Sequence, residues 1–158
     1  MKIAIFGAGA IGSYLAVRLS QAGAQVSLIA RGAQLDAIRK DGLTLKSGEE
    51  STSIRPAACT AYPEEVGVQD YVFVSLKAHM MLPAARHIAT LLEPDTALVT
   101  AMNGIPYWYF YGIDSPWRDR PIRSLDPHGE LLSLLPPRHG QVYLRHGRLP
   151  VADSWRRE

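Results

Sequence analysis

Lys2-Ile3-Ala4-Ile5-Phe6-Gly7-Ala8-Gly9-Ala10-Ile11-Gly12 is the stretch that decides the fold. Its first five residues are a short apolar run with β-branched side chains, the pattern of a buried parallel strand. The next six spell G-x-G-x-x-G. A helical stripe follows: Ile11, Leu15 and Leu19, with Ala16 and Ala22 beside it, spaced to lay one apolar face on a sheet. Gly23 stands where a helix C-terminal glycine belongs. Gln25-Val26-Ser27-Leu28-Ile29-Ala30 then reads as a second strand. The result is a β-α-β unit of roughly thirty residues, the context that gives this glycine pattern its meaning.

In that context Gly7, Ala8, Gly9, Ala10, Ile11 and Gly12 form a candidate cradle for a dinucleotide diphosphate. Gly7 allows the tight strand-to-helix turn, Gly9 lets the pyrophosphate approach the backbone, and Gly12 lets the helix pack closely. The diphosphate would meet free N–H groups and the positive end of the helix dipole. A glycine-rich turn without a ligand is the competing reading. The end of the second strand chooses between dinucleotides. An NAD site carries an acid about twenty residues beyond the glycines, for the ribose 2′-hydroxyl. Here Ala30-Arg31-Gly32 holds that place, with no acid until Asp36. Arg31 can take a 2′-phosphate bidentately, so NADP or NADPH is the expected cofactor. A solvated surface arginine is the alternative.

Further along, Arg31 to Lys40 suits a short helix with Leu35 and Ile38 inward, closed by Asp41-Gly42. Leu43–Lys46 and Ser51–Ile54 read as two short strands around a polar turn, with a further strand over Ala57–Thr60. We expect this region to be an insertion without chemistry. Asp70 to Leu76 is the strongest strand and is expected at the sheet centre. Lys77 follows at its C-terminal end, the edge where open parallel sheets bind ligands; covering a helix start is its alternative role. A helix is expected from about Met80 to Leu92, with Pro83 in its first turn. Ala97–Thr100 is the next strand, and Asn103 lies just past its end. The Asn103 amide could bond a nicotinamide ribose or a substrate hydroxyl, although Asn-Gly is equally a turn signal. The aromatic run Tyr107 to Tyr111 is expected to pack against this domain or a neighbour. Beyond Gly112, short strands are plausible over Ile122–Leu125, Leu131–Leu135 and Gln141–Leu144.

The fold class that follows is α/β, a Rossmann-like, doubly wound, mainly parallel sheet. We assign residues 1–137 to the dinucleotide-binding domain and 138–158 to a divergent basic tail, which holds five arginines and two acids. At 158 residues the chain suits one domain with a real core. A formal charge of +2 is too small and scattered to argue for a nucleic acid or membrane partner. No apolar run approaches a membrane span, and the N-terminus, a strand followed by a glycine-rich turn, is not expected to be a signal peptide. Cys59 is the one cysteine, which excludes an intrachain disulfide and fits a cytoplasmic location. The five histidines and Cys59 show no metal-ligand spacing.

Four segments in order, Gly7 to Gly12, Ala30-Arg31-Gly32, Leu76-Lys77-Ala78 and Asn103-Gly104-Ile105-Pro106, resemble the ketopantoate reductase family (2-dehydropantoate 2-reductases). Asp126-Pro127-x-Gly129 and Leu134-Leu135-Pro136-Pro137 are similar to the family's next segment. The resemblance covers about residues 1–137. It implies a Rossmann domain followed by a helical second domain, with the active site between them. It also implies NADPH-dependent reduction of a small 2-keto acid, 2-dehydropantoate, to pantoate for the pantothenate and coenzyme A pathway. By residue match, Gly7 to Gly12 would hold the diphosphate, and Arg31 and Lys77 would read the 2′-phosphate region. Asn103 would contact the nicotinamide ribose and the substrate.

The family's general acid is a lysine in the helical domain, yet no lysine follows Lys77 here. The catalytic residue is therefore unknown, and we read the chain as a truncated cofactor-binding half, inactive alone. A truncated or frame-shifted gene product, or a chain shortened deliberately, would all give this pattern. Three alternatives stay open: a stand-alone NADP(H)-binding module without turnover, a fragment of a related NADP-dependent hydroxyacid dehydrogenase, or a defective fragment with no role. An uncovered domain-docking surface, including part of Tyr107–Tyr111, would promote self-association and poor solubility.

Overall fold

The computed structural model describes residues 1–137. The expected basic tail at 138–158 and the short strand over 141–144 lie outside the described residues. Five strands form one sheet: β1 (Lys2–Phe6), β2 (Gln25–Ile29), β5 (Ala58–Thr60), β6 (Tyr71–Val74) and β7 (Ala97–Thr100). Their order is β5-β2-β1-β6-β7, and every pairing in it is parallel. This is the doubly wound, Rossmann-like order, in which the chain turns back at β1 and leaves a crevice at the strand ends.

Parallel strands need covered crossovers, and helices supply them on both faces. Helix α1 (Ala10–Gln21) and helix α2 (Gly32–Asp41) cover one face. There Ile3 and Ile5 of β1 meet Val17, Leu28, Leu35 and Ile38. On the other face Ala4, Val72 and Val74 meet Met81, Ala85 and Ile88 of α3 (Met81–Ala89). Burying a side chain such as Ile3, Ile5 or Ile88 stabilises the fold by about 1.5–3 kcal/mol each. Helix α1 ends as Gly23 implied: Gly23 N–H bonds the Ser20 carbonyl at 3.0 Å and Ala24 N–H bonds that of Leu19 at 3.1 Å.

Several sequence expectations need correction. The buried stripe of α1 is centred on Gly12, Ala16 and Val17, with Leu15 and Leu19 half-buried at its margin. Ile11 is 58% exposed, because seating Gly12 against the turn rotates its neighbour out of the core. β6 is interior, paired with β1 and β7, but β1 holds the middle of the five strands. The segment expected as one insertion divides. Strands β3 (Leu43–Ser47) and β4 (Glu50–Ile54) form a separate antiparallel hairpin that packs on α1 through Leu43, Leu45 and Ile54. The third piece, β5, instead joins the main sheet beside β2, through Ser27–Ala58 to Ile29–Thr60.

Leu131–Leu135 is not a strand. Its first four residues belong to α4 (Glu130–Leu134) and Leu135 caps that helix, with Leu131 and Leu135 fully buried against the α3 side of the core. A short apolar run fits either period; here Leu131 and Leu135 lie one helical turn apart, and Asp126 Oδ2 accepts the Leu132 N–H at 3.2 Å. Ile122–Leu125 forms a turn closed by Leu125 N–H to the Ile122 carbonyl, 2.8 Å. The aromatic run is also divided. Tyr109 is 52% exposed, whereas Tyr107 is buried and its hydroxyl donates to the Leu135 carbonyl at 2.6 Å. That bond ties the loop after β7 to α4. Tyr107→Phe is expected to lower stability by about 1–2 kcal/mol, the cost of a lost buried hydrogen bond. A shifted urea midpoint with an unchanged slope would show it.

Candidate functional site

The strand register defines one edge. Ile29, Phe6, Val74 and Thr100 lie side by side across four strands. Everything just beyond them therefore emerges together: Ala30-Arg31 from β2, Gly7 from β1, Ser75-Leu76-Lys77 from β6, and Ala101-Met102-Asn103 from β7. The fingerprint turn starts here. Gly7 has φ +106°, which an L side chain rarely adopts, and its N–H still bonds the Ile29 carbonyl at 3.1 Å. Gly12 packs so tightly that a Cβ on it would lie 1.9 Å from the Gly7 carbonyl oxygen. Gly9 is different: a Cβ there would meet nothing within 4 Å. The Gly9 position thus opens onto free space above the start of α1. No side chain caps that helix and no acid lies in its first turn. Its leading N–H groups are unsatisfied within the helix and available to an anion.

Two cavities meet along this edge. The first, about 480 Å³, has Gly7, Ala8 and Gly9 as its floor, Arg31 and Gln34 on one side, and Lys77 and His87 on the other. The apolar residues Ile29, Met80 and Pro83 complete its walls. The second, about 510 Å³, lies between Ile11, Thr100, Met102 and Asn103. Ser75, Leu76 and Lys77 line both. Among the described residues no carboxylate lines either cavity, while Arg31, Lys77 and His87 contribute basic groups. Arg31 is exposed at the N-cap of α2. Among the described residues its guanidinium has no hydrogen bond or ion pair, nor has the Lys77 ammonium.

Of the residues singled out from sequence, Gly7, Ala8, Gly9, Arg31 and Lys77 share the first cavity. Ile11, Lys77 and Asn103 share the second. Ala10 is exposed in the first turn of α1, and Gly12 is buried beneath the loop. Three residues at the site were not singled out as site residues from the sequence. Ser75 donates its hydroxyl to the Gly7 carbonyl at 2.6 Å. Gln34 reaches from α2 to the Ala8 carbonyl; its place one turn after Arg31 was the available signal. His87, exposed on α3, lines the first cavity although its spacing carried no motif. Cys59 lies in β5, away from the edge. Burial pushes its thiol above the ordinary range, against the opposing pull of the Arg39 guanidinium, so it offers little thiolate. Among the described residues no group of three or more His, Cys, Asp or Glu could hold a metal ion. Nor is any of their helices long and apolar enough to cross a membrane.

The profile of the ketopantoate reductase PanE/ApbA family matches residues 3–107, well over half of the chain. The chain belongs to that family. A 2-dehydropantoate 2-reductase of Mesorhizobium japonicum is 48% identical over 139 residues, covering 87% of this chain and 42% of the relative. A crystal structure from Ralstonia solanacearum MolK2, assigned to the ketopantoate reductases, superposes with a TM-score of 0.79 at 39% identity. It too covers 87% of this chain and 42% of its own. The ternary structure of D-mandelate dehydrogenase with NADH and anilino(oxo)acetate is similar at 31% identity and TM-score 0.59, over 66% of this chain and 34% of its own. The family member described here thus spans under half the length of these relatives, and the shared portion carries the groove.

Proposed function

We propose that the groove binds NADP(H), and that the chain is the cofactor-binding portion of a 2-dehydropantoate 2-reductase. That enzyme reduces a 2-keto acid to pantoate on the way to pantothenate and coenzyme A. The observation that carries the cofactor reading is Arg31, which has no partner among the described residues and lines a cavity to which none of them brings a carboxylate. A 2′-phosphate supplies the anion such a cavity lacks. The open space at Gly9 above the uncapped start of α1 suits a diphosphate. Lys77 adds charge between the two cavities, and Asn103 offers an amide to a ribose or substrate hydroxyl in the second. Residues 1–137 form the binding unit in this reading. When bound, the dinucleotide supplies the hydride.

Hydride addition builds negative charge on the ketone oxygen and needs a hydrogen-bond donor within reach of it. Lys77 is assigned to the cofactor, and no lysine follows it in the 158 residues. We therefore expect these 158 residues to bind NADPH without oxidising it appreciably in the presence of ketopantoate. Fluorescence titration followed by an absorbance assay at the reduced-nicotinamide band tests both parts. Robust turnover would refute the absence of an acid, and failure to bind would refute the groove. A second reading, with another 2-keto acid as substrate, draws on the likeness to D-mandelate dehydrogenase, solved with NADH and anilino(oxo)acetate. The same assay on the full-length relative, with ketopantoate against benzoylformate, separates the two.

A further inference from the structure

We infer that Ser75 is a positioning residue of the dinucleotide site, setting the glycine loop so that it presents N–H groups rather than carbonyls to the diphosphate. This rests on the reading of the groove as a dinucleotide site. Ser75 leaves the end of β6, where its own N–H bonds the Phe6 carbonyl at 3.0 Å. Its hydroxyl lies 2.6 Å from the Gly7 carbonyl oxygen and 3.4 Å from that of Phe6. Gly12 packs against the same pair of oxygens: an ideal Cβ there would stand 1.9 Å from the Gly7 oxygen and 2.5 Å from Ser75 Oγ. The carbonyl is therefore held inside the turn, under the first turn of α1, and not in the groove. The next carbonyl is held too, since Ser13 Oγ donates to the Ala8 oxygen at 3.0 Å.

A carbonyl oxygen facing a diphosphate repels it, and a peptide flip at Gly7 would exchange an N–H for that oxygen. Gly7 is a glycine at positive φ, so little in its own sterics opposes such a flip. The Ser75 hydroxyl supplies the missing restraint from a different strand. Ser75 also lines both cavities, at the point where a dinucleotide spanning them would cross from one half to the other.

The test is a set of affinities for the 158-residue chain and its variants, with NADPH, NADH, ADP and 2′-AMP as probes. The first three carry a diphosphate; 2′-AMP carries adenosine and a 2′-phosphate without one. Ser75→Ala is expected to weaken NADPH, NADH and ADP by the same factor, about five- to tenfold, the range of one hydrogen bond. It should leave 2′-AMP affinity unchanged while the lost hydrogen bond lowers the melting temperature by roughly 1–6 °C, and Ser75→Thr, which keeps the hydroxyl, should restore both affinity and melting temperature. Unchanged affinities in Ser75→Ala overturn the inference, as does an equal loss for 2′-AMP, which marks general damage to the fold. Failure of the parent chain to bind any diphosphate probe overturns the underlying reading of the groove as well. Binding by the parent with an indifferent Ser75→Ala overturns the role of Ser75 alone.

Discussion

Gly12→Ala is expected to destabilise the chain by about 2–4 kcal/mol, among the larger effects a single methyl group can have. The added Cβ would stand 1.9 Å from the Gly7 carbonyl oxygen and 3.1 Å from its carbon. Both are backbone atoms of a turn fixed by β1, so no flexible side chain can move aside. Either α1 lifts from the sheet, uncovering Ala16 and Val17, or the turn at Gly7 opens. Both routes also displace the N–H groups at the start of α1, so dinucleotide binding is lost with the stability. For a chain of this size the melting temperature should fall by roughly 5–15 °C. Gly9→Ala is the control. It adds the same methyl where nothing lies within 4 Å, at an ordinary φ of −67°. It should leave the melting temperature unchanged and weaken only the ligand. Thermal unfolding of the two variants side by side decides the matter, and a Gly12→Ala protein that melts with the parent would show that the turn is compliant.

Arg31→Ala is expected to weaken NADPH by about 1.5–3 kcal/mol, the worth of a hydrogen bond to a charged group, and to leave NADH almost untouched. The asymmetry is the informative part. Arg31 is exposed at the N-cap of α2 and has no partner among the described residues, so its removal breaks no internal bond. In the proposed reading Arg31 meets a ligand anion, and only NADPH carries the 2′-phosphate. Raising the salt concentration should erode the expected NADPH preference of the parent chain through screening, and much less that of the variant. Equal losses for both cofactors would remove Arg31 from the 2′-phosphate. Calorimetric titration of both dinucleotides at two ionic strengths measures every term.

Much of this could be read from local pattern. The run Lys2–Phe6, the G-x-G-x-x-G and the second strand at Gln25 encode a β-α-β unit within one short stretch, because hydrophobic period, glycine position and helix stop all agree there. Lys77 and Asn103 follow the same logic: a residue just past a parallel strand must emerge at the ligand edge. The misreadings have a common cause. The hydrophobic period places the buried face of α1 one residue from where it lies, because the tightest contact in the helix belongs to Gly12, which carries no side chain to register in a periodicity. The Leu131–Leu135 run could serve either period until Tyr107, buried in a distant loop, gave its hydroxyl to the Leu135 carbonyl.

What the sequence determined by itself is the α/β class, the fingerprint turn and which residues leave the strand ends. These depend on neighbours a few positions apart. What only the tertiary structure decided is which of those residues lie together. Sheet order brings β2, β1, β6 and β7 into one register, so that Arg31, Gly9, Lys77 and Asn103 meet along a single groove. Ser75 could be found in no other way. Its hydroxyl serves a carbonyl sixty-eight residues earlier in the chain, and a hydrogen bond across parallel strands leaves no periodic trace in the order of the amino acids.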